Sequence, residues 1–189
     1  MKRLITPGQK TLVARDEAFN FTYRACIDAL AENSEVKYFS PLNDKTLPKC
    51  DMIYLPGGYP ELFCERLTAN ASMRTAMREF AESGGRIYAE CGGLLYLCDE
   101  IDGAEMCGVL PLKATMEGAR LHLGYRKMEW EGEEIRGHEF HYSTVREPET
   151  MPKGIITWRL QTDATGRPVE TAIYTYKNVV AGYTHWYFC

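Results

Sequence analysis

The sequence predicts an α/β domain: a mostly parallel central sheet, helices on both faces, and antiparallel strands at one edge. Three observations predict it. Short apolar, β-prone segments alternate with helical periodicity between Thr11 and Leu97. Glycine-rich turns follow two of those segments, in Pro56-Gly-Gly-Tyr-Pro60 and Cys91-Gly-Gly93. After Leu110 the helical pattern gives way to aromatic-rich segments separated by turn residues. Strand–helix alternation at this rhythm means parallel strands joined by right-handed crossovers.

Taken in order, Thr11–Ala14 is the expected first strand, after a polar leader over residues 1–10. Asp16 to Ala31 carries helical spacing of Ala18, Phe21, Ala25, Ile27 and Leu30 behind an acidic start. Val36–Phe39 and Met52–Leu55 are the second and third strands. Asn70 to Glu82 is an amphipathic helix with Asn70 as its cap, stopped by Gly84-Gly85. Arg86–Glu90 is the fourth strand. Beyond it, residues 121–130, 137–145, 155–161 and 172–176 are expected as antiparallel edge strands and a hairpin region. Val179–Gly182 is a last strand that delivers His185.

Bulk properties narrow the function. The chain has 189 residues, enough for one domain with a real core, here residues 11–189. Its net charge of −4 and lack of a basic tract argue against a nucleic-acid partner. The start lacks the apolar core of a signal peptide, and no run approaches a membrane span, so the expected address is the cytoplasm with no membrane partner. Seven cysteines without a secretory signal argue against a disulfide framework. No Cys-x-x-Cys or His-Glu-x-x-His pattern occurs. His138 and His141, three apart on a strand, face opposite sides, so no metal is expected.

The chemistry concentrates in Arg86-Ile-Tyr-Ala-Glu-Cys-Gly-Gly-Leu-Leu-Tyr-Leu97. A strand meets a thiol, two glycines and a helix, which is the geometry of a nucleophile elbow. The helix N-terminus favours thiolate at Cys91; a free cysteine has a pKa of about 8.5 and helix N-termini lower it. Ligands of such sheets sit beyond the carboxyl ends of the strands. Three segments converge there: Pro56–Pro60, Cys91–Gly93 and Thr184-His185-Trp186. Thiol, imidazole and shield-free backbone N–H groups are what cysteine acyl transfer needs, with Gly57, Gly58 and Gly92 as candidate oxyanion donors.

These motifs carry a family resemblance. Ala89-Glu-Cys-Gly-Gly-Leu94, preceded by Leu55-Pro-Gly-Gly-Tyr-Pro-Glu-Leu62 and followed by Gly137-His-Glu-Phe-His-Tyr-Ser143, resembles the cobyrinic acid a,c-diamide synthase family. The match is to its C-terminal class I (triad-type) glutamine amidotransferase domain. It runs from about Lys10 to the C-terminus and includes Ala14–Phe19 and Phe39–Leu42. The resemblance implies a three-layer, flavodoxin-like fold. It implies that Cys91 takes the amide of glutamine as a glutamyl thioester and releases ammonia, with His185 raising its nucleophilicity. In the family's full-length enzyme that ammonia amidates the a and c carboxylates of a corrinoid after ATP activation.

Two departures from the pattern matter. Triad amidotransferases place a glutamate two residues past the histidine, where this chain has Tyr187, so a Cys–His dyad is expected. No Gly-x-x-x-x-Gly-Lys-[Ser/Thr] loop occurs in these 189 residues, so the family's N-terminal ATP-binding synthetase domain is expected to lie outside them. No cofactor is therefore expected in this chain; ATP and magnesium belong to the missing synthetase domain, a partner in cis or in trans. Alternative acceptors are a nickel tetrapyrrole, cobyric acid or a cell-wall lipid precursor, and a catalytically silent docking module is the reading from another class. Glu61 and Glu90 are candidate substrate or domain contacts, with a structural ion pair the safer reading for Glu90. His138 and His141 either line the site or the docking face, or satisfy cross-strand hydrogen bonds.

Overall fold

The computed structural model describes residues 8–130 and 132–187. The chain order is β1 (Gln9–Ala14), α1 (Arg24–Ala31), β2 (Ser34–Phe39), β3 (Met52–Leu55), a 3-10 turn (Pro60–Phe63), α2 (Cys64–Ala69), α3 (Ala71–Glu82), β4 (Arg86–Glu90) and α4 (Gly92–Leu97). Then follow β5 (Glu100–Ile101), β6 (Ala104–Glu105), β7 (Lys113–Thr115), β8 (His122–Trp130), β9 (Glu133–His141), β10 (Thr144–Arg146), β11 (Ile155–Trp158), β12 (Ile173–Tyr176), β13 (Val179–Gly182) and β14 (His185–Trp186).

The main sheet has seven strands in the order β11-β12-β13-β4-β3-β1-β2. Its five strands from β13 to β2 are parallel, and β12 and β11 add antiparallel at the edge. Central strands buried on both faces read as continuous apolar runs. β3 is buried along its whole length and β4 along all but its first residue. Side chains alternate between two apolar clusters, as period-2 geometry requires. Leu12, Ile53, Leu55, Ile87 and Ala89 pack on one face with Met73 and Met77 of α3 and Leu94 to Leu97 of α4. Val13, Met52, Tyr54 and Tyr88 pack on the other with Leu30 of α1, Met128 of β8 and Trp186. The second outer layer is thus α1 plus a three-stranded sheet, β14-β9-β8.

Several expected elements change. The first strand begins at Gln9 rather than Thr11; residues 1–7 of the expected leader lie outside the described residues. The expected helix over 16–31 forms only from Arg24. Asp16 is the reason: Oδ1 accepts the N–H groups of Ala18 (2.9 Å) and Phe19 (3.1 Å), and Oδ2 accepts from Ser40 Oγ and the N–H of Leu42. Side-chain acceptors of this kind compete with helical hydrogen bonds. Asn70 does not cap α3 with its side chain. Its amide instead donates to the carbonyls of Pro41 and Asp44, both at 2.8 Å, tying the 40s loop to the helix. The 121–130 and 137–145 segments pair as a long hairpin of β8 and β9 outside the main sheet, and β10 separates at Thr144. The short strands β5, β6 and β7 form a small sheet with β10 that the sequence pattern does not announce.

Candidate active site

Cys91 stands where β4 ends and α4 begins. Its backbone has φ 50° and ψ −106°, a strained conformation for a side-chain-bearing residue. The strand register holds this corner in place: Cys91 N–H donates to the Gly182 carbonyl at 2.8 Å, at the end of β13. The expected elbow is present, and Cys91, 7 % exposed, stands at the wall of a cavity of about 390 Å³. Gly58, Glu61, His138, Phe140, His141 and His185 line the same cavity.

β13 leads through Tyr183 and Thr184 to His185, which pairs across β14 and β9 with His138. The His185 side chain is 4 % exposed. Phe21 meets it edge-on at 4.9 Å and His138 stacks on it at 5.0 Å. Its Nδ1 lies 3.5 Å from Glu90 Oε2. The Cys91 thiol donates to the Phe140 carbonyl at 3.7 Å, and thiol and imidazole line the same cavity.

The glycines divide their tasks. The backbone N–H groups of Gly92 and Gly58 act on the Cys91 thiol, each working to lower its pKa. The Gly57 carbonyl accepts from Phe21 N–H at 3.1 Å, and its α-carbon faces the His185 ring. A side chain at Gly58 would sit 2.8 Å from the Ala18 carbonyl carbon and 3.0 Å from Phe19 Cα, so only glycine fits this approach.

The thiolate expectation is not met in the resting site. Burial, and then the negative charge of Glu61, push the Cys91 thiol up to about 12, and the Gly92 and Gly58 N–H groups recover only part of this. α4 is six residues long, and desolvation outweighs what its N-terminus supplies. Burial also raises Glu61, whose Oε2 is buried without a hydrogen-bond partner among the described residues.

His138 and His141, expected on opposite faces, both line this cavity but have different partners. His138 stacks between His185 and Tyr187 and lies 3.3 Å from the Tyr187 hydroxyl; burial and then His185 lower its pKa. His141 donates from Nδ1 to the Ser143 carbonyl at 2.8 Å, stacks on Tyr183 at 3.6 Å, and places Nε2 3.6 Å from Glu139. Sequence reasoning missed Phe21, Glu139 and Tyr23, whose hydroxyl lies 3.4 Å from His138 Nδ1. All three act through contacts between distant segments, which leave no local signal.

The match to known proteins covers nearly the whole chain. Residues 10–189 fit the CobB/CobQ-like glutamine amidotransferase domain. The chain belongs to this family. Among curated relatives, cobyrinate a,c-diamide synthase of Dehalococcoides mccartyi is 38 % identical over 96 % of this chain and 42 % of that protein. The enzyme of the same description from Methanothermobacter thermautotrophicus is 47 % identical over 70 % of this chain and 32 % of its own length. Hydrogenobyrinate a,c-diamide synthase of Pseudomonas aeruginosa is 37 % identical over 95 % of this chain and 41 % of its length. The amidotransferase chain therefore spans about a third to two fifths of the relatives it matches. Among solved structures, a glutamine amidotransferase shares the fold at a TM-score of 0.62 and 20 % identity, covering 93 % of this chain and 89 % of that one. The PurLQS structure from Thermotoga maritima does so at 0.60 and 18 %, covering 96 % and 88 %. The class I amidotransferase α/β fold is thus shared well beyond sequence similarity. No helix among the described residues is long and apolar enough to cross a membrane.

Proposed function

We propose that this domain hydrolyses the side-chain amide of glutamine at Cys91 and passes the ammonia to a synthetase unit that amidates the a and c carboxylates of a cobyrinate-type corrinoid. The observation that carries the chemistry is the cavity itself. It joins a strained, turn-borne thiol, a buried imidazole, and two backbone N–H groups that favour charge on the sulfur.

Glutamine enters with its amide carbon beside the Cys91 sulfur. The thiol proton moves to His185 Nε2 as sulfur attacks that carbon. The N–H groups of Gly58 and Gly92 hold the oxyanion, and Gly57 keeps the imidazole in place from behind. Collapse expels ammonia, which takes its proton from the imidazolium. Water then cleaves the thioester to glutamate. The unpartnered Glu61 Oε2 is the acceptor for the substrate's α-ammonium. The acceptor assignment rests on the relatives, whose names cover both cobyrinate and hydrogenobyrinate. ATP activation belongs to the synthetase unit, in cis or in trans, since this chain has no phosphate loop.

Labelling with a glutamine-analogue electrophile, read by mass spectrometry, tests the reading. The expected adduct forms on Cys91 and disappears in Cys91→Ser. No adduct on Cys91, with the synthetase unit supplied, refutes it in favour of a silent docking module. His185→Ala is expected to slow acylation while leaving the fold intact.

A further inference from the structure

The position that carries the acid in triad amidotransferases is Tyr187 here, and its hydroxyl is engaged with His138. The imidazole is not left without a carboxylate. Tyr88 and Glu90 are two apart on β4 and so share a face of the sheet. The parallel register sets Tyr54 beside Tyr88, with their rings stacked at 5.6 Å. Both hydroxyls reach the Glu90 carboxylate: Tyr54 donates to Oε2 at 2.8 Å and Tyr88 donates to Oε1. The backbone N–H of Trp186, next to the histidine, donates to Oε1 at 3.0 Å. Nδ1 of His185 is the fourth neighbour, 3.5 Å from Oε2. Three hydrogen-bond donors and the nearby Nδ1 surround two oxygens, which suits the acceptor-only capacity of an ionised carboxylate. The Glu90 side chain is 4 % exposed, so this geometry is held by packing rather than by solvent.

We propose that Glu90 is the third member of a Cys91–His185–Glu90 triad, a positioning residue supplied by the strand that carries the nucleophile. It takes no proton. It fixes the tautomer with hydrogen on Nδ1, leaving Nε2 to accept the thiol proton, and it faces the imidazolium formed when that proton arrives. The 3.5 Å separation is that of a resting site, and such contacts tighten once charge develops. The tyrosines and the Trp186 N–H immobilise the carboxylate, which holds the ring's orientation. The proposal rests on the glutaminase reading above.

The test compares Glu90→Gln with Glu90→Asp in the 189-residue chain with the synthetase unit supplied. A positioning carboxylate predicts a kcat loss on the order of 10²- to 10⁴-fold in Glu90→Gln with KM little changed, and partial retention in Glu90→Asp. A purely structural role predicts the reverse order, because glutamine is isosteric and aspartate leaves a gap. Nitrogen NMR of His185 in the unmutated chain provides a measurement that needs no variant. It is expected to show hydrogen on Nδ1, and hydrogen on Nε2 overturns the proposal. If the unmutated chain and Cys91→Ser release no ammonia alike, the glutaminase reading fails, while the NMR tautomer still judges Glu90.

Discussion

Gly57→Ala isolates the placement of the imidazole from every other feature of the site. Gly57 has an ordinary φ, so alanine strains no backbone. The added methyl would overlap His185 Cε1 and stand 3.3 Å from Nε2 and 3.4 Å from Nδ1. Carbon contacts settle at about 3.5–4.0 Å, so the ring must withdraw by about 1 Å. It cannot do so freely, because His138 and Phe21 pack against it and Glu90 faces its Nδ1. A misplacement of about 1 Å costs on the order of 10²-fold in rate, or about 2.7 kcal/mol of barrier. Overpacking adds about 1–3 kcal/mol of destabilisation. The assay is ammonia release from glutamine, with a thermal melt to confirm that the variant is folded at the assay temperature. A folded Gly57→Ala chain that hydrolyses glutamine at the unmutated rate refutes the placement of His185 in the mechanism.

The resting thiol should alkylate slowly. A pKa of about 12 in place of the ordinary 9.0 leaves roughly 10³-fold less thiolate at pH 8, so Cys91 should react with iodoacetamide that much more slowly than a free thiol. Peptide-mapped labelling against pH checks this, and a plateau below about pH 9 contradicts it. Glu61→Gln removes the second-largest cause of the elevation and should speed alkylation while raising KM for glutamine. An unchanged KM would remove Glu61 from substrate binding. Glu139 gives an acid-stability prediction. Burial works to raise its carboxyl, but His141, Thr171 and the paired Arg126 outweigh burial and bring it below the usual carboxylate range. A folded-state pKa below the unfolded one contributes stability above about pH 4.5, and that contribution is lost as pH falls through the folded value. Glu139→Gln leaves Arg126 without its buried counter-charge and should cost about 3–5 kcal/mol at neutral pH, with a shallower acid limb in the melt. An unchanged acid limb contradicts the assignment.

The parts of this molecule legible in the sequence are those dictated locally. The β3 and β4 strands are short apolar runs between breakers, and α3 has a clean amphipathic period, so their bounds are met within a residue. The elbow is legible because thiol, glycines and apolar helix sit next to one another. Asp16 defeats the helix expectation over 16–23 through hydrogen bonds to Ser40 and Leu42, partners that no local pattern reveals. The thiolate expectation fails for a related reason. The helix N-terminus is visible in sequence, whereas the burial that outweighs it comes from a cavity that β9 and the Pro60–Phe63 turn help to line.

Glu90 shows how sheet register can supply what the sequence around the histidine lacks. A dyad follows from looking two residues past His185, along the chain. The carboxylate instead arrives from below, because Gly182 pairs with Glu90 across β13 and β4, two residues before Thr184. Alternation sends Ala89 into the cluster with α3 and α4, and Tyr88 and Glu90 into the cluster with Trp186. A one-residue slip of β4 would exchange those faces, burying the carboxylate among apolar side chains and moving the thiol off its corner. The same pairing that specifies the core therefore fixes the acid, the base and the nucleophile relative to one another. That is why the site can hold a carboxylate without any residue in the position where other triads carry it.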